Sequence, residues 1–376
     1  MSGRDVFVVA DNVFTPLGKT TAENFENLKQ GISAVKEHSD RSISPQPFYA
    51  ALFDKDEASL KDKPYTKFEA LLIASIGDAL RQGDVEASDS KTVLIISSTK
   101  GNISLLETEK YNQELKERIA LPASAKLVAD HFGFVNPPII VSNACVSGVM
   151  AIITGMRLLR TGQYENAVIA GAEVISEFIL SGFQSFQALS PHMCKPFDKD
   201  RDGLNLGEGA GTIILSTNTK YSGNIRVLGG GISNDANHIS GPSRTGEELS
   251  FAINQALKDA VLSANAIDFI SAHGTATVYN DEMEANAVAL SGLAAVPLNS
   301  LKANYGHTLG AAGLIESVIS VRSLQENTIL PTLGFEENGV TRPVNVVKSA
   351  LNTKTRNFLK TASGFGGCNA TVVFGK

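Results

Sequence analysis

Cys145 stands in Val141-Ser142-Asn143-Ala144-Cys145-Val146-Ser147-Gly148. Before it runs a short apolar, β-branched stretch, Pro137–Val141; after it, Val149 to Arg160 carries apolar residues at helical spacing. The pattern predicts a sulfur on a tight strand-to-helix turn, with Gly162 as the helix stop. A helix N-terminus aimed at a thiol favours the thiolate, the form that attacks in acyl transfer. Ala144, Ser147 and Gly148 are small enough for a substrate backbone to come close. The plain alternative is a buried structural cysteine, since free cysteine is among the residues most often found inside. Two histidines decide between these readings. His273 ends an apolar strand in Ser271-Ala272-His273-Gly274-Thr275-Ala276-Thr277. His307 lies in Leu301-Lys302-Ala303-Asn304-Tyr305-Gly306-His307-Thr308-Leu309-Gly310-Ala311-Ala312-Gly313, before a helix of small residues. Either histidine alone would commonly be a core or capping residue. Three polar residues near strand ends, all flanked by Gly, Ala, Ser or Thr, are harder to dismiss, because open α/β sheets bind ligands where strands end.

These residues need elements to hold them. Strands are predicted at 5–10, 92–98, 137–141, 166–172 and 212–216, then at 225–232, 267–272, 297–301, 357–363 and 370–374. Helices are predicted from Thr21 (as cap) to Lys29, and over 67–81, 103–119, 149–160, 245–264, 281–290 and 310–324. Asn12–Lys19 and residues 37–66 read as loop and irregular surface, and Gln187–Gly211 as a long loop. The alternation argues α/β: a parallel sheet with helices on both faces. The helices after Cys145 and after His307 occupy matching places, which suggests an internal duplication.

The chain has 376 residues, 43% of them hydrophobic and 19% charged, so it holds ample core. A net charge of -6 gives no overall basic field for nucleic acid. Three widely spaced cysteines form no disulfide framework and no zinc-ligand spacing, which fits a reducing compartment. The apolar run Val6–Ala10 is too short for a signal segment, and no stretch reaches the ~18 residues of a membrane span. A soluble, cytoplasmic protein is expected.

Cys145 in Ala-Cys-Val-Ser-Gly, His273 in His-Gly-Thr-Ala-Thr, and Lys302 with Gly306-His307-Thr308 resemble the Cys-His-His set of the β-ketoacyl synthases. Further stretches are similar in the family's order. They are Asn12–Gly18; Pro196-Phe197-Asp198 with Arg201-Asp202-Gly203 and Gly207–Gly211; Asn234-Asp235-Ala236 with Ser240-Gly241-Pro242; and Gly364–Ala370. The match runs from about residue 5 to the end. The resemblance implies a thiolase-like, duplicated αβαβα five-layer fold, usually dimeric. Residues 1–216 would be the half with the nucleophile and 217–376 the half with both histidines, together one ketosynthase unit.

The resemblance also implies a decarboxylating Claisen condensation on acyl carrier protein thioesters, with substrates carried on phosphopantetheine and with no other cofactor and no metal. Cys145 would hold the acyl chain. His273 and His307 would donate to the enolate oxygen as neutral Nε2–H tautomers, and the N–H groups of Cys145 and Phe365 would hold the oxyanion. Lys302 matches the family's lysine and Glu316 the glutamate that neutralises it. Thr275 and Thr277 match the threonines that bond pantetheine. Phe365 matches the gate, and Asn369 belongs to a substrate loop. Lys195 and Arg201, flanking the central loop, are candidate contacts for an acidic carrier protein.

Some wording departs from the elongating synthases. Tyr279-Asn280 precedes Asp281 where Leu-Gly is common, and Ser97–Asn102 replaces a glycine-rich turn. These changes fall near the family's acyl pocket and dimer interface, and the His-Gly-Thr-Ala-Thr…Tyr-Asn-Asp wording resembles synthases of aryl polyene or flexirubin-type pigment clusters. Two alternatives remain at this point. A biosynthetic thiolase would need a second catalytic cysteine in a Cys-x-Gly loop, whereas Cys368 follows its glycines. A chain-length-factor-like partner of a heterodimer would lack the nucleophile, whereas Cys145 is present.

Overall fold

The computed structural model describes residues 4–54, 64–236 and 241–376. The strands of its large sheet fall into two runs. The first contains β1 (Phe7–Phe14), β2 (Thr92–Ser97), β3 (Ile139–Val141), β4 (Asn166–Glu173) and β5 (Gly209–Ser216). The second contains β6 (Arg226–Asn234), β7 (Phe269–Ser271), β8 (Leu298–Asn299), β9 (Asn357–Gly364) and β10 (Cys368–Gly375). Lateral order is β3-β2-β4-β5-β1 in one run and β8-β7-β9-β10-β6 in the other, the same order counted within each. Pairing sense repeats as well. β2 is parallel to β3 and β4, and β7 to β8 and β9; β5 and β10 are antiparallel to both neighbours. A β1–β6 pair, Phe7 opposite Arg226, joins the runs into one ten-stranded sheet.

The principal helices are α1 (Thr21–Lys29), α2 (Lys67–Gln82), α3 (Leu121–Phe132), α4 (Ser147–Arg160), α5 (Glu177–Ser185), α6 (Glu247–Asp259), α7 (Val278–Leu290) and α8 (Leu309–Glu326). α4 and α8 each follow the third strand of their run and pack on one another between the two runs. α2, with α3 beside it, covers the outer face of β1, β4 and β5; α6, with α7 beside it, covers β6 and β10. The result is the expected αβαβα order of layers. The middle layer is apolar: Ile152, Ile153 and Met156 of α4 share one buried cluster with Leu314, Ile315 and Val318 of α8.

Small residues set the α4–α8 distance. A Cβ on Gly148 would lie 2.6 Å from the Leu314 amide nitrogen, and one on Gly313 would lie 2.5 Å from Val149 Cγ2. Gly148 is therefore small for the sake of α8, not to admit a substrate backbone.

Other expectations are corrected too. The sheet is mixed rather than parallel, because each run returns its last strand antiparallel. β1 continues to Phe14 through the stretch read as loop: Asp11 and Asn12 are accommodated by the Thr21 hydroxyl and by Lys19 O and Asp78. Thr20, not Thr21, caps α1. Within residues 37–66, Lys36–His38 and Phe48–Ala51 form short strands, the second paired with Leu206–Gly207. The single helix expected at 103–119 is two short ones, Leu105–Thr108 and Gln113–Arg118. The helix expected over 245–264 stops at Asp259. α3 and α5 lie where no element was expected. Ser240 of the substrate-loop motif lies outside the described residues.

Candidate active site

β3 ends at Val141 and α4 begins at Ser147, so Cys145 sits on the turn between them. Ala144 has φ of +43°, a left-handed conformation rarely adopted by a residue with a Cβ. The Ser147 hydroxyl fixes the turn, accepting from Asn143 N–H at 2.8 Å and donating to Ala144 O at 2.7 Å. The sulfur is buried, and burial pushes its thiol up to about 12; Lys302 pulls it down, while Glu173 and Cys368 push it up further. Burial thus works against the thiolate that the helix N-terminus favours.

His273 leaves the end of β7. Its N–H donates to Glu284 Oε1 at 2.8 Å, and Gly274 N–H donates to Glu284 Oε2 at 2.7 Å. Asp281, one turn earlier on α7, accepts from Thr275 N–H at 2.9 Å, Ala276 N–H at 3.1 Å and Phe197 N–H at 2.8 Å. Burial drives the Asp281 carboxyl up to about 6, against those bonds. The two carboxylates of α7 thus shape the His273–Ala276 loop.

His307 precedes α8 and is held from the other half. Its N–H donates to Asn205 O at 2.6 Å, and Gly207 N–H donates to His307 O at 3.1 Å. A Cβ on Gly207 would fall 1.9 Å from Tyr305 O, so only glycine permits this contact. The two imidazoles meet edge to face, ring centres 5.2 Å apart. Burial, followed by the charge of Lys302, holds both well below the ordinary histidine value, so both are neutral at physiological pH.

Cys145, His273 and His307 line one cavity of about 400 Å³, together with Thr275, Thr277, Phe365 and Asn369. Thr275 and Thr277 hydroxyls are 2.8 Å apart, and Asn369 Oδ1 accepts from Ser363. Phe365 stands at the mouth, 36% exposed, against Phe183 and Phe186. Gly364 approaches the nucleophile's backbone; a Cβ there would lie 3.0 Å from Cys145 N.

Lys302 and Glu316 are not on the cavity wall. Lys302 is fully buried behind His273, donates to His273 O at 3.0 Å and pairs with Glu316. Glu316 grouped as a substrate contact is therefore corrected: it faces lysines, not the cavity. Arg201 is also misplaced as a surface contact. It is 9% exposed, and its Nη1 donates to Asp198 O and Gly339 O, so it braces the central loop. Lys195 is half-buried. Three residues were missed: Asp281 and Glu284, whose spacing on a helix after the His-Gly-Thr loop was an available signal, and Lys360, which carried none. Among the described residues no cluster of His, Cys, Asp and Glu could hold a metal ion, and no helix is long and apolar enough to cross a membrane.

Comparisons with known proteins give the family. The family model for the β-ketoacyl synthase N-terminal domain matches residues 3–220, and the model for the C-terminal domain matches 225–336. The chain belongs to the β-ketoacyl synthase family, condensing enzymes of the acyltransferase class. It is 29% identical over 411 residues to 3-oxoacyl-[acyl-carrier-protein] synthase 2 of Vibrio cholerae, covering 100% of this chain and 99% of that one. Among solved structures it is similar to the ishigamide ketosynthase/chain length factor, with TM-score 0.91 and 26% identity over 100% of both chains. It is also similar to a β-ketoacyl synthase from Burkholderia phymatum, with TM-score 0.89 and 26% identity over 99% of each.

Proposed function

We propose that this chain elongates an acyl chain with malonyl-acyl carrier protein by decarboxylative Claisen condensation. The observation that carries the reading is one cavity lined by Cys145 from the first half and by His273 and His307 from the second. Cys145 attacks the carbonyl of an acyl carrier thioester. A carbon–sulfur bond forms, the carrier's pantetheine sulfur leaves, and the thiol proton passes to it through a neutral imidazole. The malonyl thioester then enters, its arm held by Thr275 and Thr277. Its carboxylate leaves as carbon dioxide, and the electron pair of the broken bond forms an enolate. His273 and His307 donate to the enolate oxygen. The enolate carbon attacks the acyl carbonyl, whose oxyanion rests on the N–H groups of Cys145 and Phe365. Collapse breaks the carbon–sulfur bond, and the Cys145 thiolate takes up a proton from water through a neutral imidazole, the one proton the condensation consumes. Lys302 orients His273 through its carbonyl, and Glu316 balances that lysine.

Residues 1–216 and 217–376 act as two halves of one unit, with no resident cofactor. Three free cysteines support a cytoplasmic setting. Edge strand β3 leaves Ile139 and Ile140 half-buried, which supports a dimer across that edge, with a second copy or a related chain-length-factor subunit. A pigment or polyketide pathway is supported by the His273–Thr277 wording followed by Tyr279-Asn280-Asp281. Lys195 remains a candidate carrier contact.

Intact-mass spectrometry after incubation with a panel of acyl carrier proteins tests the reading. Wild type is expected to gain the mass of an acyl group and Cys145→Ala none. Loading that persists in Cys145→Ala would sink the nucleophile.

A further inference from the structure

Lys360 lies on β9, beyond the residues matched by either family model, with none of its side chain exposed. Its Nζ donates to Ser271 O at 3.1 Å and Ala272 O at 3.0 Å, and lies 2.7 Å from Glu316 Oε2. Lys302 takes the other Glu316 oxygen and the next carbonyl, His273 O. Three consecutive carbonyls at the end of β7 are therefore held by two ammonium groups that share one carboxylate. A buried ammonium is costly, and packing alone would be served by an apolar side chain. Two lysines on one glutamate also leave a positive charge directly behind the histidine pair, facing Glu284 on the His273 and Gly274 amides and Asp281 on those of Thr275 and Ala276.

We propose that Lys360 is a positioning residue for decarboxylation: with Lys302 it anchors the strand end that carries His273, and it sets a second ammonium group behind the histidine pair. The proposal rests on the condensing reading above. Neutral donors matter because an imidazolium would pair with the malonyl carboxylate and stabilise it before carbon dioxide leaves. Burial lowers both histidines first; Lys302 and Lys360 then act in the same direction on each, and His307 also lowers His273. Burial lowers Lys360 itself, and Glu316 and Glu284 counter that. Across the cavity the remaining titratable side chains are Cys145, Asp202, Asp235 and Tyr279.

The test is the pH dependence of malonyl-carrier-protein decarboxylation in wild type, Lys360→Met and Lys360→Gln, with folding checked by thermal melting. Glutamine keeps a donor for the carbonyls and removes the charge. Both variants are expected to move the acidic limb upward by about 1 pH unit, a ~10-fold loss on the acid side of the wild-type limb that recovers above the displaced one. Adding Glu316→Gln to Lys360→Met restores charge balance and is expected to bring the limb back. A limb that stays put in a folded variant overturns the proposal. So does a chain that folds in neither form, which would assign Lys360 to stability alone. Wild type without decarboxylation defeats the underlying reading; wild-type activity with an unmoved limb defeats Lys360 alone.

Discussion

Glu284 accepts three hydrogen bonds: from the His273 and Gly274 amides and from the Thr361 hydroxyl. It is fully buried. Glutamine in its place must turn an NH₂ toward one of those donors, leaving a buried N–H without an acceptor. We expect Glu284→Gln to cost about 1–3 kcal/mol of stability. Displacing His273 slightly should slow malonyl decarboxylation by on the order of 10². Cys145 lies on another loop, so acyl loading measured by intact mass should survive. Equal losses in loading and decarboxylation would show that Glu284 serves the whole fold rather than the histidine. The same reasoning explains why this residue escaped the sequence. His273 and His307 stood out because small residues surround them, whereas Glu284 and Asp281 look like solvated helix charges until the loop folds back onto them.

The machinery at the scale of elements is the α4–α8 crossing, since one helix starts just after Cys145 and the other just after His307. Gly148→Ala places a methyl carbon 2.6 Å from Leu314 N and 3.2 Å from Gly310 O. Backbone atoms cannot rotate away, so the helices must part. The expected cost is about 1–3 kcal/mol, read as a lowered Tm. Because parting the helices separates the nucleophile from His307, condensation should fall further than loading. An unchanged Tm would refute the close crossing. The helices themselves were legible: apolar spacing found α4 and α8 to within a few residues. So were most strands, through their β-branched runs. The sense of pairing was not. β5 and β10 reverse direction through the 174–208 segment and the Gly364–Gly367 turn, and nothing local in a strand records which neighbour it will meet. α3 begins Leu121-Pro122, where Pro sits in the first turn, and it reads as a break unless that position is recognised. α5 is nine residues bounded by loops, too short for its period to stand out.

Charge burial in the whole molecule turns on Glu69, which ties together four segments of the first half. It closes the capping box of α2 with Thr66, and it accepts from Asn102, Ser124 of α3 and Arg118. Burial alone would raise its carboxyl, but the bonds from Arg118, Thr66, Ser124 and Asn102 outweigh burial and bring it down to about 2 from the ordinary 4.5. A folded-state value below the unfolded one means that the unfolded chain binds the proton first. Its contribution to stability is therefore complete above about pH 4.5 and is lost as pH falls through 2. The size is on the order of 3 kcal/mol, from the conversion of about 1.4 kcal/mol per pH unit. Other buried groups also titrate on acidification. His273 and His307, held low, lose stability below the ordinary histidine value; Glu173, raised to about 7 by burial against its backbone bonds, and Asp281 gain it. A single acid melt mixes these signs. The difference between wild type and Glu69→Gln does not, because every other group cancels. That difference should be about 3 kcal/mol or more at pH 7, since Arg118 also loses its partner. It should shrink steadily below pH 4.5, as the wild-type carboxyl takes up the proton that glutamine imitates. Urea unfolding of both proteins from pH 7 to pH 3 measures it. A gap that stays constant across that range would mean that shape and hydrogen bonding, rather than the Glu69 charge, hold the outer layer to the sheet.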